Sequence, residues 1–287
     1  MKKLMFALVA AGAAAVMADG IESQNIVGYM NKDTTEGGMT LQTPVFTATG
    51  NGTGIYLSTL KPTGYEANED FLEDDNGTDG EFAVQTLTAA GKRDQLYTWK
   101  RSVSDGEWEN DGRWQQGGTI ISGANDVLIP AGTGLWTQVP DLAGDDGAEY
   151  TIVSSGEVNG SDRTFLLNVG GMTALGNPYP VAVPLSSVIP QGYEANEDFL
   201  EDDNGTDGEF AVQTLTAAGK REQLFTWKRS VSDGEWENDG RWQQGGTVIS
   251  GANEFYIQPG VGLWCQCPDY AGDDDADYAL KFQYPED

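Results

Sequence analysis

The sequence predicts an all-β protein of two tandem, duplicated antiparallel domains, each a β-sandwich or a partly closed barrel. Three observations lead there. Short runs of β-branched and aromatic residues alternate with Gly, Asp and Asn turns along the whole body of the chain. Helical periodicity is almost absent, the one exception being the acidic stretch 67–75, where Asn68 can cap a single turn. Finally, the chain repeats itself: residues 64–126 match 192–254 at a shift of 128, and only Asp94/Glu222, Tyr97/Phe225, Ile120/Val248 and Asp126/Glu254 differ.

The repeat continues more loosely outside that centre. "GLWTQVPDLAGDDGAEY" (134–150) answers "GLWCQCPDYAGDDDADY" (262–278), and "GGMTLQTPVF" (37–46) answers "GGMTALGNPYP" (170–180). The first copy carries about six extra residues near "TGNGTG" (49–54). A near-identical centre with divergent flanks is the mark of recent copying, so identity between the copies reports history. The domains expected are a leader over 1–18, a first β-rich repeat over 19–155 with its N-terminal strand, and a second repeat over 156–287.

Taken in order, the elements of one unit are these. "EFAVQTLTA" (81–89) alternates Phe82, Val84 and Thr86 against Ala83, Gln85 and Leu87 and reads as a strand. "LYTWKR" (96–101) follows after a turn, with Tyr97 and Trp99 on one face. "SDGEWENDGRWQQGG" (104–118) has Asp111-Gly112 as an expected hairpin turn between arms bearing Trp108 and Trp114. "GTGLWTQV" (132–139) and "AEYTIVSSGEV" (148–158) are further strands, the latter expected to span both units. "ESQNIVGYM" (22–30) should cap the first unit and "DYALKFQY" (277–284) should close the second.

The first eighteen residues have the form of a secretory signal. Lys2 and Lys3 precede a short apolar run, and Val16-Met17-Ala18 supplies small residues at a cleavage site. The run is shorter than the roughly 20 residues a spanning helix needs. Export is therefore expected, to the extracellular medium or the cell surface, with no membrane insertion. Of 16 basic and 45 acidic residues, removal of Lys2 and Lys3 leaves 14 against 45, a side-chain net of −31. Such a chain repels phosphate backbones, so nucleic acid is excluded as a partner.

The chain has no histidine, which removes the commonest general base and the Ser-His-Asp triad. No carboxylate pair stands out from the abundance of acids, so no catalytic residue is assigned. Cys265 and Cys267 sit two apart. On a strand they share a face, too far apart for a disulfide, whose Cβ atoms lie about 3.8 Å from each other. Thr137 and Val139 occupy the matching places in the first copy, so the fold does not need the sulfurs.

Two site readings remain. "EDDNGTDGEF" occurs at 73–82 and again at 201–210, a partial match to a calcium loop in which Asp75 and Asp79, with Asp203 and Asp207 as the copy, would be ligands. A hydrated turn is the alternative, and calcium is the one cofactor left open. In the expected hairpin, Trp108 and Trp114 become diagonal neighbours and form a flat apolar patch among acids and amides, copied as Trp236 and Trp242. Such a patch stacks sugar rings or seals the edge of a small sandwich.

Together these pieces resemble a group of uncharacterised secreted bacterial proteins: a signal peptide, a short strand of "NIVGY" type, then two β-rich repeats. The matching residues are Asn25-Ile26-Val27-Gly28-Tyr29, "GNPYPVAVPLSSV" (176–188), "PAGTGLW" (130–136) and "QPGVGLW" (258–264); the first unit departs by having "QTPVFTATG" in place of "GNPYP". The resemblance implies export and a β-rich fold, and no catalysis. The function expected is that of a secreted, non-enzymatic structural or adhesive surface protein that self-associates into fibres. The alternative is a carbohydrate-binding protein using the hairpin tryptophans on surface glycans, with calcium dependence.

Overall fold

The computed structural model describes residues 27–34, 39–48, 52–63, 82–88, 92–100, 103–104, 107–108, 112–138, 150–191, 210–216, 220–228, 231–232, 235–236, 240–267 and 278–285. Over these residues the protein is all-β. Its sheets are small and antiparallel, and the helical elements among the described residues are three-residue 3-10 turns such as Leu57–Thr59 and Leu185–Ser187.

Each unit contains the same six-stranded sheet. In the first the spatial order is Met39–Gln42, Leu135–Gln138, Ala83–Leu87, Arg93–Lys100, Arg113–Gln116, Thr119–Ile120. In the second it is Met172–Gly176, Gly262–Gln266, Ala211–Leu215, Arg221–Lys228, Arg241–Gln244, Thr247–Val248. Strand for strand, the order is identical. A smaller sheet covers one face of each: Val27–Thr34, Tyr150–Val158 and Lys61–Thr63 in unit one, Arg163–Leu166, Ala279–Phe282 and Val188–Gln191 in unit two. A two-stranded ribbon completes each cover, Gly54–Tyr56 with Leu128–Pro130 and Val183–Pro184 with Tyr256–Ile257.

The cores lie between these layers. In unit one, Val84, Tyr97, Trp114 and Leu135 of the large sheet meet Ile55, Leu57, Leu60, Ile129 and Ile152 of the cover. In unit two, Val212, Phe225, Trp242, Leu263 and Cys265 meet Val183, Leu185, Val188, Ile257, Leu280 and Phe282. Apolar side chains from two facing layers are what make a sandwich.

Two expectations are corrected here. The hairpin does not turn at Asp111-Gly112. Arg113–Gln116 pairs with Arg93–Lys100 on one side and Thr119–Ile120 on the other, while Glu107–Trp108 pairs with Val103–Ser104. The turn lies at Gly117-Gly118, whose φ values of 52° and 83° are both positive, as a tight two-residue hairpin requires. Gly112 is glycine for another reason: a Cβ there would collide with the indole of Trp99.

Strand Tyr150–Val158 does not span both units. It pairs with Val27–Thr34, with Lys61–Thr63 and with Phe46–Thr47, all in unit one. That strand runs to Val158. The N-terminal strand expected to cap the first unit does so: its described part is Val27–Thr34, against Tyr150–Val158 of its own unit, while residues 22–26 lie outside the described residues. Its counterpart in unit two is Arg163–Leu166, which pairs with Ala279–Phe282 in the matching place.

Candidate functional site

The expected tryptophan patch divides. Trp114 and Trp242 are each only 1 % exposed, and their indole N–H groups donate to Leu60 O at 2.7 Å and Val188 O at 2.6 Å. A ring buried to this degree, with its donor satisfied inside the protein, is core and offers no sugar platform. Its neighbour is Trp99, across the strand pair in T-shaped contact at 5.3 Å, and Trp227 meets Trp242 in the same way. Trp108 and Trp236 lie in the two-residue strands Glu107–Trp108 and Glu235–Trp236, paired with Val103–Ser104 and Val231–Ser232 and not with the strands of Trp114 and Trp242. The hairpin pairing expected of Trp108 with Trp114, and of Trp236 with Trp242, is thus absent, and the buried Trp114 and Trp242 pair with Trp99 and Trp227 instead.

Asp75, Asp79, Asp203 and Asp207 lie outside the described residues. Among the described residues no three carboxylates, thiols or imidazoles gather to hold a metal ion. Cys265 and Cys267 face the core of unit two, both buried, with no disulfide between them. Burial, reinforced by the neighbouring Cys267, pushes the Cys265 thiol up, so it is no thiolate nucleophile at neutral pH. No helix among the described residues is long and apolar enough to cross a membrane.

Two features do stand out. The first is the contact between the units. Gln42 bridges to Val261, and Thr133 bridges to Leu175. Allowing for the longer first copy, Gln42 corresponds to Leu175 and Thr133 to Val261, so these two bridges are one contact made twice. Thr43 N–H donates to Gly260 O at 3.1 Å, and the equivalent Gly176 N–H donates to Gly132 O at 2.9 Å. Side chains obey the same relation: a Cβ on Gly134 would strike Ala174, and one on Gly262 would strike Leu41. Trp136 and Trp264 are equivalents of each other and touch, with ring centres 6.2 Å apart. Equivalent residues in mutual contact must lie on the symmetry axis. The units are related by a local two-fold, edge strand to edge strand, in an isologous interface within one chain.

The second is a groove on unit one, of about 540 Å³, beside the Gly117-Gly118 hairpin. Trp99, Ile120 and Ile121 give it an apolar wall, Ser58, Ser122 and Asn125 supply polar groups, and Lys61 and Arg113 supply positive charge. Among the described residues no carboxylate lines it. Asp126, just behind, is occupied by Ser58 N–H at 3.2 Å, Ser58 O–H at 2.5 Å and Val127 N–H at 2.9 Å. The Trp99 indole N–H is buried at the groove wall without an acceptor. Which indole reaches a surface depends on strand order, and no local motif encodes that.

No protein-family model matches the chain, and neither a curated protein nor a solved structure is significantly similar to it.

Proposed function

We propose that this is a secreted, non-enzymatic structural or adhesive surface protein that assembles by edge-to-edge contacts between its β-rich units. One observation carries the reading: the unit meets its own copy through equivalent strand edges and equivalent backbone hydrogen bonds. A fold whose edge complements a second copy of itself is a building block for larger assemblies. Further edges remain for contacts between chains. Strand Arg163–Leu166 is the outer strand of its sheet, and Leu166 on it is 71 % exposed. Val27–Thr34 holds the same place in unit one.

Composition supports the remaining parts. A leader-like start favours export, consistent with the resemblance to secreted two-repeat proteins. The absence of histidine and the burial of both thiols favour a role without covalent or acid–base chemistry. Light scattering on the chain from residue 19 onward, over rising concentration, tests the assembly. Species larger than a monomer should form, and Leu166→Lys should reduce them by placing charge on an edge. A monomer at every concentration would contradict the reading.

A further inference from the structure

We infer that Asn159, in the joint between the two units, is a site of spontaneous chemical modification: its side-chain amide is converted to a carboxylate, without an enzyme, by way of a cyclic imide formed with the peptide nitrogen of Gly160. This chemistry needs no second chain. Asn159-Gly160 is the one Asn-Gly pair that lies wholly within the described residues. The same pair occurs at 51–52, 76–77 and 204–205, each time with its asparagine outside them.

The local geometry prepares the ring closure. Asn159 Nδ2–H donates to Ser161 O at 2.8 Å, and the Ser161 hydroxyl donates to Asn159 Oδ1 at 3.3 Å. A carboxamide tied to the residue two places on lies across the Gly160 peptide between them. Gly160 is exposed, and a Cβ there would meet nothing within 4 Å, so solvent reaches the pair and the backbone is free to turn. Nucleophile and carbonyl belong to adjacent residues and need no encounter. The step balances with water alone. The Gly160 nitrogen gives its proton to solvent base and attacks Asn159 Cγ; the N–Cγ bond forms, the Cγ–Nδ2 bond breaks, and the amide nitrogen leaves as ammonia. Water then opens the ring. Attack at Cγ leaves an aspartate; attack at the main-chain carbonyl carbon of Asn159 routes the chain through Cγ and leaves an isoaspartate, longer by one backbone atom. Either product carries a new negative charge.

Its place in the fold gives the change an effect. Residues 159–162 join Val158, the last of its strand, to Arg163, the first of the next. Ser161 O lies 3.0 Å from the Tyr179 hydroxyl, the Asp162 carboxylate is 2.6 Å from Lys281 Nζ, and the Arg163 guanidinium donates to Gly52 O in unit one. Residues fixed to both units cannot slide to take up a longer backbone. A carboxylate at 159 also loses the donor to Ser161 O. Conversion therefore loosens the joint, in one direction only, as the protein ages.

Peptide mapping by mass spectrometry tests this. The full chain is held at mildly alkaline pH until a free peptide of residues 155–165 has converted, and is compared with fresh protein. The fragment bearing Asn159 should gain the mass of an amide-to-acid exchange and separate into aspartyl and isoaspartyl forms. Gly160→Ala should slow the conversion about tenfold, because a side chain hinders ring closure. Open space at that position lets the variant fold, as an unchanged melting temperature will show. In the converted protein the amide protons of 161–166 should exchange faster than in fresh protein, while those of Ala211–Leu215 stay as they were. Overturning results are an Asn159 fragment of unchanged mass when the free peptide has converted, equal conversion in Gly160→Ala, or unchanged exchange at 161–166 after conversion.

Discussion

The two units share one strand order but fill and close it differently. Between sheet and cover, unit one buries Gln42, Thr137 and Ser154, whereas unit two has Leu175, Cys265 and Phe282 at the same places. In unit one a cavity of about 30 Å³ lies against Gln42, Thr137 and Ser154, and Gln42 Nε2 has no hydrogen-bond partner in the protein. In unit two the corresponding side chains belong to one continuous apolar cluster. A buried donor without a partner costs about 1–3 kcal/mol, a cost that Leu175, at the same place in unit two, does not carry.

The closures differ as well. Strand Tyr150–Val158 is long enough for its last residues, Glu157 and Val158, to pair with Thr47 and Phe46. Its counterpart Ala279–Phe282 is only four residues long. There Tyr179 stands where unit one has Phe46, and its hydroxyl donates to Phe282 O at 2.9 Å or Ser161 O at 3.0 Å. Burial raises the Tyr179 hydroxyl far above its ordinary pKa, so it stays a donor. Asn177 replaces Pro44 and ties Val181 O, Ile257 O and Tyr179 N–H through one side chain. A backbone ladder in one copy and a side-chain staple in the other do the same work, so the fold depends on the closure and not on a particular residue.

The largest effect expected is common to both units. Trp114→Ala and Trp242→Ala each remove a fully buried indole and its hydrogen bond, for a loss of about 3–5 kcal/mol. Urea unfolding should show comparable losses in the two units; a mild effect in one alone would break their equivalence. The next separates them. Gln42→Leu, which installs the residue of unit two, should raise the stability of unit one by about 1–3 kcal/mol, read from its calorimetric transition. Tyr179→Phe should lower unit two by about 1 kcal/mol and leave the transition of unit one in place.

The smallest effect depends on pH and belongs to unit two. Lys281 Nζ lies 2.6 Å from Asp162, and Tyr284 N–H donates to the same carboxylate at 2.8 Å. The Lys281 hydrogen bond first, then that of Tyr284, hold Asp162 below the ordinary carboxylate range. A lowered pKa stabilises above the unfolded value and is lost as pH falls through the folded one. Unit two should weaken slightly on acidification below the ordinary carboxylate pKa, and Asp162→Asn should remove that part of the slope. The group is exposed, so the change should be near the limit of a thermal-melt measurement.

Much of this architecture is legible in the residues. Alternation in "EFAVQTL" and the repeat at 128 residues give the all-β class and the paired units, because both are local or periodic signals. Strand order is not local. Asp111-Gly112 has the letters of a hairpin turn, yet Gly112 is there because Trp99 lies against it, while Gly117-Gly118 makes the turn. That single displacement moved Trp114 from an expected surface patch into the core. The two-fold interface joins residues such as Gln42 and Val261, far apart in sequence, and no motif announces it. The groove was missed for the same reason, since Lys61, Trp99 and Asn125 meet only after the cover closes.

The two-fold relation between the units is tested most directly by paired cysteine cross-linking in the full chain. Gln42→Cys with Val261→Cys probes one bridge, and Thr133→Cys with Leu175→Cys probes its equivalent. Antiparallel partners lie about 4.5–5.5 Å apart between Cα atoms, within disulfide reach. Cys265 and Cys267 are buried and should not compete. Mild oxidation should close both engineered pairs within a single chain, at similar rates, as read by mass spectrometry of non-reduced peptides. Closure of one pair without the other, or cross-links found only between chains, would contradict the symmetric interface.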